Sequence, residues 1–183
     1  KGIIITLPDA AALGKSVKAA ISAGIPVISM NSGSDDYMKL GISAHVGQTE
    51  FEAGVGGGQK MKAVGGKKAL CVNHEVGNVA LDRRCAGFKK GFGGSVDILG
   101  TSNDPTEIQK AVAAKLGGGY DTILTLGAGL SGEAALKALE SAGKVNSVKL
   151  GTFDMSPDML KAAAAGKVEF LIDQQQYLQG YLP

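Results

Sequence analysis

Seven short apolar runs alternate with helical patterns along this chain: Gly2–Thr6, Pro26–Met30, Lys68–Asn73, Val96–Gly100, Thr122–Leu126, Val148–Phe153 and Val168–Ile172. They are rich in Ile, Val and Leu and mostly do not alternate with polar residues, which marks strands buried on both faces of a parallel sheet. The segments between them carry helix signals. Leu13, Val17 and Ile21 share one face of a helix that stops at Gly24. Asp104-Pro105-Thr106-Glu107 supplies an N-cap, a proline at the first helical position and an acid at the third, followed by Ile108, Val112 and Leu116. Ser131 opens a helix that closes at Gly143, and Ser156-Pro157 opens one that stops at Gly166. Helices of this length between buried strands form right-handed βαβ units, so the expected fold is α/β with doubly wound parallel sheets. Ile42–Gly47 breaks the rhythm as a short strand-like stretch and is expected to cross between two sheets.

Composition narrows the function classes. With 183 residues, 44% hydrophobic and 20% charged, the chain can bury a core without a metal or disulfide staple. A net charge of +2 with no basic block gives no support for nucleic-acid binding. No run approaches the roughly 18 apolar residues of a membrane helix, and Lys1–Ile5 lacks a signal-peptide layout. Glycine is unusually frequent, 28 residues, and Gly54, Gly56, Gly57, Gly58, Gly65 and Gly66 fall where a helix should run. Nothing in the local pattern explains them, because each costs about 0.5–1 kcal/mol relative to alanine. Cys71 and Cys85 fit neither a redox nor a zinc motif. Two readings stay open for them, small buried thiols or a disulfide formed in an oxidising compartment.

In open α/β sheets ligands bind beyond the carboxyl ends of the strands. The residues expected there are Asp9, Asn31-Ser32, Asn73-His74, Ser102-Asn103-Asp104, Gly127-Ala128, Phe153-Asp154 and Asp173-Gln174, with Arg84 on the following helix facing the same edge. Planar amides, carboxylates and a guanidinium match sugar hydroxyls, each of which both donates and accepts. Asp104, Ser131 and Ser156 are better explained as helix caps. Asn31, Arg84, Asp154 and Gln174 have no such local explanation. Gly127–Gly132 reads G-x-G-x-x-G after a strand, as a dinucleotide enzyme requires, although three βα units precede it. Two histidines exclude a multi-histidine metal site, His74-Glu75 is not part of H-E-x-x-H, and neither a Walker loop nor a nucleophile elbow is present.

Three segments resemble periplasmic sugar-binding proteins of the ribose-binding type: Thr6–Asn31, Leu70–Phe88 with its R-x-x-G-F stretch, and Gly151–Leu182 with D-Q-Q-x-Y-L-Q-G-Y. The resemblance implies a two-lobe periplasmic-binding-protein-like fold with much of the first lobe missing. Residues 1–47 are then part of lobe 1, 48–173 a complete lobe 2, and 174–183 the return to lobe 1. The chain starts inside an apolar strand and ends soon after a helix begins near Gln175, which agrees with that expectation. The resemblance further implies a monomer that performs no chemistry and needs no cofactor or metal. It closes by hinge motion on a monosaccharide or polyol held between two lobes and presents it to the membrane permease of an ABC importer. Its place is the periplasm or, as a lipoprotein, the cell surface. Position by position, the family's hydroxyl-binding carboxylate falls on Asn31 and a neighbouring arginine on Ser32. The family arginine of R-x-x-G-F falls on Arg84, an often aromatic position on Asn103 and an asparagine on Gly127. Phe153 and Asp154 match a pair that packs on and hydrogen-bonds the sugar, and Gln174 matches a glutamine near the hinge. His74 is a further ligand-facing candidate. Sugar-responsive repressors share the fold, so an effector-binding domain is the first alternative. A dinucleotide enzyme built on the GAGLSG turn is the second.

Overall fold

The computed structural model describes residues 1–183. The chain divides into two compact units, one made of Lys1–Thr49, Gly77–Ala80 and Gln174–Pro183, the other of Glu50–Val76 and Leu81–Asp173.

The first unit holds a three-stranded parallel sheet, in the order β1 (Ile3–Ile5), β2 (Val27–Met30), β3 (Ala44–Val46). Helix α1 (Ala10–Ser22) is capped by the Asp9 carboxylate, which accepts from the backbone N–H groups of Ala11 and Ala12. The unit also contains the short C-terminal helix α7 (Gln176–Tyr181). Its core is built from Leu7, Val17, Val27 and Ile42. The strand-like stretch Ile42–Gly47 contributes β3. It is held in register by Ser43, whose N–H and hydroxyl both donate to the Val27 carbonyl, and by a 2.9 Å contact between Ser29 Oγ and His45 Nδ1. Asp9, expected at a ligand edge, is occupied as the cap.

The second unit is a five-stranded parallel sheet in the order β5 (Ser95–Gly100), β4 (Lys68–Asn73), β6 (Thr122–Thr125), β7 (Lys149–Phe153), β8 (Phe170–Ile172). One face carries Leu70, Val72, Ile123 and Leu150. These pack under α4 (Pro105–Lys115), α5 (Glu133–Ser141) and α6 (Pro157–Ala164). The Asp104 cap accepts from Thr106 and Glu107, and the Ser156 hydroxyl caps α6 by accepting from Met159. Burial on both faces fails at two of the four edge strands: Ile4 of β1 is 54% exposed and Ile98 of β5 is 58% exposed. Each pairs with a neighbour on one side only, so part of its apolar surface has nothing against it.

The other face of this sheet explains the glycines. Helix α2 (Glu50–Ala63) and helix α3 (Val79–Phe92) touch along their backbones. A methyl group at Gly54 or Gly58 would overlap the α3 backbone at Arg84 and Phe88 or at Phe88 and Phe92. One at Gly87 or Gly91 would overlap the α2 backbone at Phe51 or Val55. Both helices therefore carry glycines four residues apart on the contacting face, and the entropic cost of each is offset by the close approach. Gly57 faces Ile172 and Leu124 of the sheet, whereas Gly56 points into open space.

Cys71 on β4 and Cys85 on α3 form a disulfide across a Cα–Cα distance of 5.8 Å, which settles the choice left open by the sequence. Strand alternation explains the pairing: Leu70 and Val72 face α4–α6, so Cys71 faces α3.

Two predictions follow from this packing, both measurable by urea denaturation. Gly58→Ala and Gly91→Ala each destabilise by about 1–3 kcal/mol or more through overpacking, whereas Gly56→Ala stabilises by about 0.5–1 kcal/mol. Equal effects at all three positions contradict the backbone contact. Replacing both cysteines with alanine lowers stability by about 2–4 kcal/mol, the value for a loop of this length; an unchanged midpoint contradicts the bridge.

Candidate functional site

The strand order β5-β4-β6-β7-β8 is that of a doubly wound sheet whose connections diverge between β4 and β6. Such a switch point opens a crevice at the carboxyl ends of those strands. His74 follows β4, Gly127 lies two residues past β6, and Asp154 follows β7. The structure brings these three candidates together. A Cβ on Gly127 would stand 3.2 Å from His74 Cε1 and 3.6 Å from Asp154 Oδ2. The imidazole and the carboxylate thus both border the space into which a side chain at 127 would project.

Backbone conformation marks the same edges. Only three non-glycine residues have positive φ: Asn31 (60°), Asp154 (67°) and Gln175 (56°). Asn31 directly follows β2, Asp154 directly follows β7, and Gln175 precedes α7. Left-handed backbone costs a non-glycine residue roughly 1 kcal/mol or more and collects at ligand sites. Asn and Asp tolerate it best. At two of these positions the N–H still completes the sheet ladder: Asn31 N–H donates to Val46 O and Asp154 N–H to Ile172 O. The chain therefore turns sharply just after its last strand bond.

Beneath this edge lies a buried ion pair. The Arg84 Nε donates to Glu50 Oε2 at 2.6 Å, Nη2 to Glu50 Oε1 at 3.1 Å, and Nη1 to the Leu126 carbonyl at 3.1 Å. Arg84 is 3% and Glu50 4% exposed. The guanidinium carbon sits 4.6 Å over the centroid of the Phe153 ring, which is itself fully buried. Arg84 and Phe153 were expected to offer their surfaces to a guest; here each covers the other. The reason is electrostatic, since a guanidinium taken out of water needs a paired counter-ion and a packed surface. Glu50 escapes sequence reasoning because an acid in the first turn of a helix is ordinary. Its partner lies 34 residues away.

The loop after β4 is fixed by Asn73. Its amide donates to Asp82 Oδ1 at 2.8 Å, and its carbonyl oxygen accepts from Glu75 N–H at 3.0 Å. His74 Nδ1 is buried with no hydrogen-bond partner. Burial holds the His74 imidazole below the ordinary histidine value of 6.5, and Arg84 acts in the same direction, while Glu75 and Asp154 oppose the shift. The ring is therefore a neutral group near pH 7.

In the first unit, Asn31 Nδ2 donates to Gln179 Oε1 at 3.3 Å, and Gln179 Nε2 donates to the Gln174 carbonyl at 2.7 Å. The buried Ser32 hydroxyl donates to Asn31 Oδ1 at 3.3 Å. Three candidates, Asn31, Ser32 and Gln174, are thus linked through Gln179, which was not singled out although it stands in the D-Q-Q-x-Y-L-Q-G-Y stretch. Asn103 is exposed beyond the edge strand β5.

The GAGLSG stretch does not form the tight turn of a dinucleotide site. Ala128–Gly132 is a π-helical turn in which the Gly127 carbonyl accepts from the N–H groups of Ser131 and Gly132. Ser131, expected as a cap, is buried within that turn and its hydroxyl donates to the same carbonyl at 3.0 Å. Gly132 packs closely on Thr152 and Met159.

The depressed His74 pKa predicts a pH dependence with a definite sign. Below about pH 6.5 the unfolded chain binds more protons at this position than the native state. The contribution of His74 to stability is complete above that pH and is lost as pH falls toward the folded value. His74→Gln therefore loses less stability than the parent protein between about pH 7 and about pH 5. Identical losses in urea titrations across that range contradict the assignment.

Comparison with known proteins adds an independent line. Residues 1–183 match the periplasmic binding protein domain family. The xylose/arabinose-binding protein XylF of Sulfolobus acidocaldarius is 26% identical over 203 residues, an alignment that takes in 100% of this chain and 50% of that protein. A carbohydrate transporter from Acidothermus cellulolyticus 11B, solved in complex with myo-inositol, is 35% identical with a TM-score of 0.93, covering 98% of this chain and 63% of that one. An ABC transporter solute-binding protein from Burkholderia graminis C4D1M, solved with D-arabinose, is 25% identical with a TM-score of 0.86, covering 100% of this chain and 66% of that one. The chain thus spans about half the length of the curated relative it matches. On the full-length family match and the shared fold, this chain belongs to the periplasmic binding protein domain family.

Proposed function

We propose that this protein binds a monosaccharide or polyol through the polar carboxyl edges of its sheets and delivers it to the membrane permease of an ABC importer. The observation that carries the reading is the convergence of His74, Gly127 and Asp154 at the switch point of a sheet in this family. A left-handed Asp154 offers carboxylate oxygens that accept from sugar hydroxyls. A neutral imidazole and the amides of Asn31 and Gln174 supply groups that donate or accept. Leaving any such buried group unpaired costs about 1–3 kcal/mol, which rejects sugars with a hydroxyl in the wrong place. Relatives bound to myo-inositol and D-arabinose support the ligand class. Arg84, pressed on Phe153 and paired with Glu50, lies under this edge. The protein acts as a monomer by this reading, without cofactor or catalysis. The buried Cys71–Cys85 bridge supports an oxidising location, the periplasm or the outer cell surface.

Asp154→Asn tests the reading best, because asparagine tolerates the left-handed backbone and keeps the fold. Arg84→Ala is a poorer test, since it strands the buried Glu50 carboxylate. Titration calorimetry with myo-inositol, D-arabinose and D-xylose is expected to find at least one ligand. Its affinity falls about tenfold to a hundredfold in Asp154→Asn, the loss of a charged hydrogen bond. No binding by any monosaccharide or polyol, or unchanged affinity in the variant, overturns it.

A further inference from the structure

A buried guanidinium beside a ligand edge is by default an anion receptor. Its planar fork takes a carboxylate or phosphate through two parallel N–H bonds. In this protein the fork formed by Nε and Nη2 is already filled, by both oxygens of Glu50. We propose that Glu50 is a positioning and specificity-determining residue: it clamps Arg84 and cancels its charge, so that the edge above accepts uncharged polyols and rejects carboxylated or phosphorylated sugars. The inference rests on the sugar-binding reading and adds the residue that sets the charge of the accepted ligand.

Three observations support it. First, the pair is held from both sides. Glu50 is the first residue of α2, where a helix N-terminus favours a carboxylate. Arg84 is pinned by the Leu126 carbonyl, the Phe153 ring and its neighbour Cys85 in the disulfide. The guanidinium cannot swing away to meet an anion without breaking these contacts. Second, the balance of charge is unfavourable to an anion. The carboxylate of Asp154 stands at the edge itself, 3.6 Å from the Cβ position of Gly127, and Glu50 neutralises Arg84 directly. Third, a buried ion pair contributes little to stability compared with apolar residues of the same volume, so stability alone gives weak reason for one here.

The experiment is calorimetric titration of the intact protein with sugars that differ only in charge: D-glucose against D-glucuronate and D-galactose against D-galacturonate, with myo-inositol as a further neutral probe. The parent protein is expected to bind a neutral probe and to prefer it at least tenfold over any uronate. In Glu50→Gln that preference falls at least tenfold or reverses, while Glu50→Asp, which keeps the charge, retains it. A purely structural role moves all affinities together and leaves the ratio unchanged. Should Glu50→Gln fail to fold, the uncharged double variant Glu50→Gln/Arg84→Gln replaces it and is expected to keep the parent preference; a gain of uronate binding there contradicts the proposal. Equal binding of a uronate and its neutral partner by the parent, or an unchanged ratio in folded Glu50→Gln, overturns the role of Glu50 alone. Failure of every monosaccharide and polyol to bind the parent overturns the sugar-binding reading and this inference with it.

Discussion

Helices α2 and α3 meet backbone to backbone, and the arrangement of the larger unit depends on that contact. Gly54 and Gly58 on one helix and Gly87 and Gly91 on the other leave no room for a methyl group between them. At this separation Glu50, at the start of α2, reaches Arg84 on α3 with both carboxylate oxygens. The same placement of α3 sets Cys85 against Cys71 and Phe88 beneath the sheet. Arg84 is thereby delivered onto Phe153 at the end of β7. A chain of close contacts thus runs from four glycines to the carboxyl edge of the sheet.

That edge is rigid for reasons that differ from residue to residue. Asp154 is held in left-handed backbone by a ladder bond to Ile172 and by the burial of Phe153 before it. His74 is set by Asn73, whose amide ties strand β4 to helix α3 through Asp82. A side chain at Gly127 would press on the imidazole of His74, whose Cε1 stands 3.2 Å from the Cβ position. In the smaller unit Gln179 does similar work, spanning the Asn31 amide and the Gln174 backbone. Groups fixed in this way lose little entropy on meeting a ligand.

What the sequence made legible was local. The all-apolar runs at Lys68–Asn73 and Thr122–Leu126 mark central strands because burial on both faces removes alternation, and Asp104 and Ser156 mark helix starts because their side chains satisfy nearby N–H groups. Asn31 and Asp154 were legible as candidates from their place after a strand. What escaped was non-local. The edge position of β1 and β5 follows from strand order, which no single segment encodes. Ile42–Gly47 reads locally as strand-like, but its place beside β2 comes from strand order. The repeated four-residue glycine spacing was present in both helices, yet its meaning required the two to be neighbours. Glu50 and Gln179 were hidden for the same reason: each acquires its role from a partner distant along the chain.

The proposed grip on a polyol, at the edge where His74, Gly127 and Asp154 meet above Arg84, is open to direct observation. Heteronuclear NMR of protein labelled at histidine, arginine and glycine nitrogens observes this directly as a neutral sugar is added. Saturable shifts of the His74 ring, the Arg84 Nε and the Gly127 amide are expected, with the Gly58 and Gly91 amides unmoved. Saturable binding that shifts none of the three site signals would contradict it.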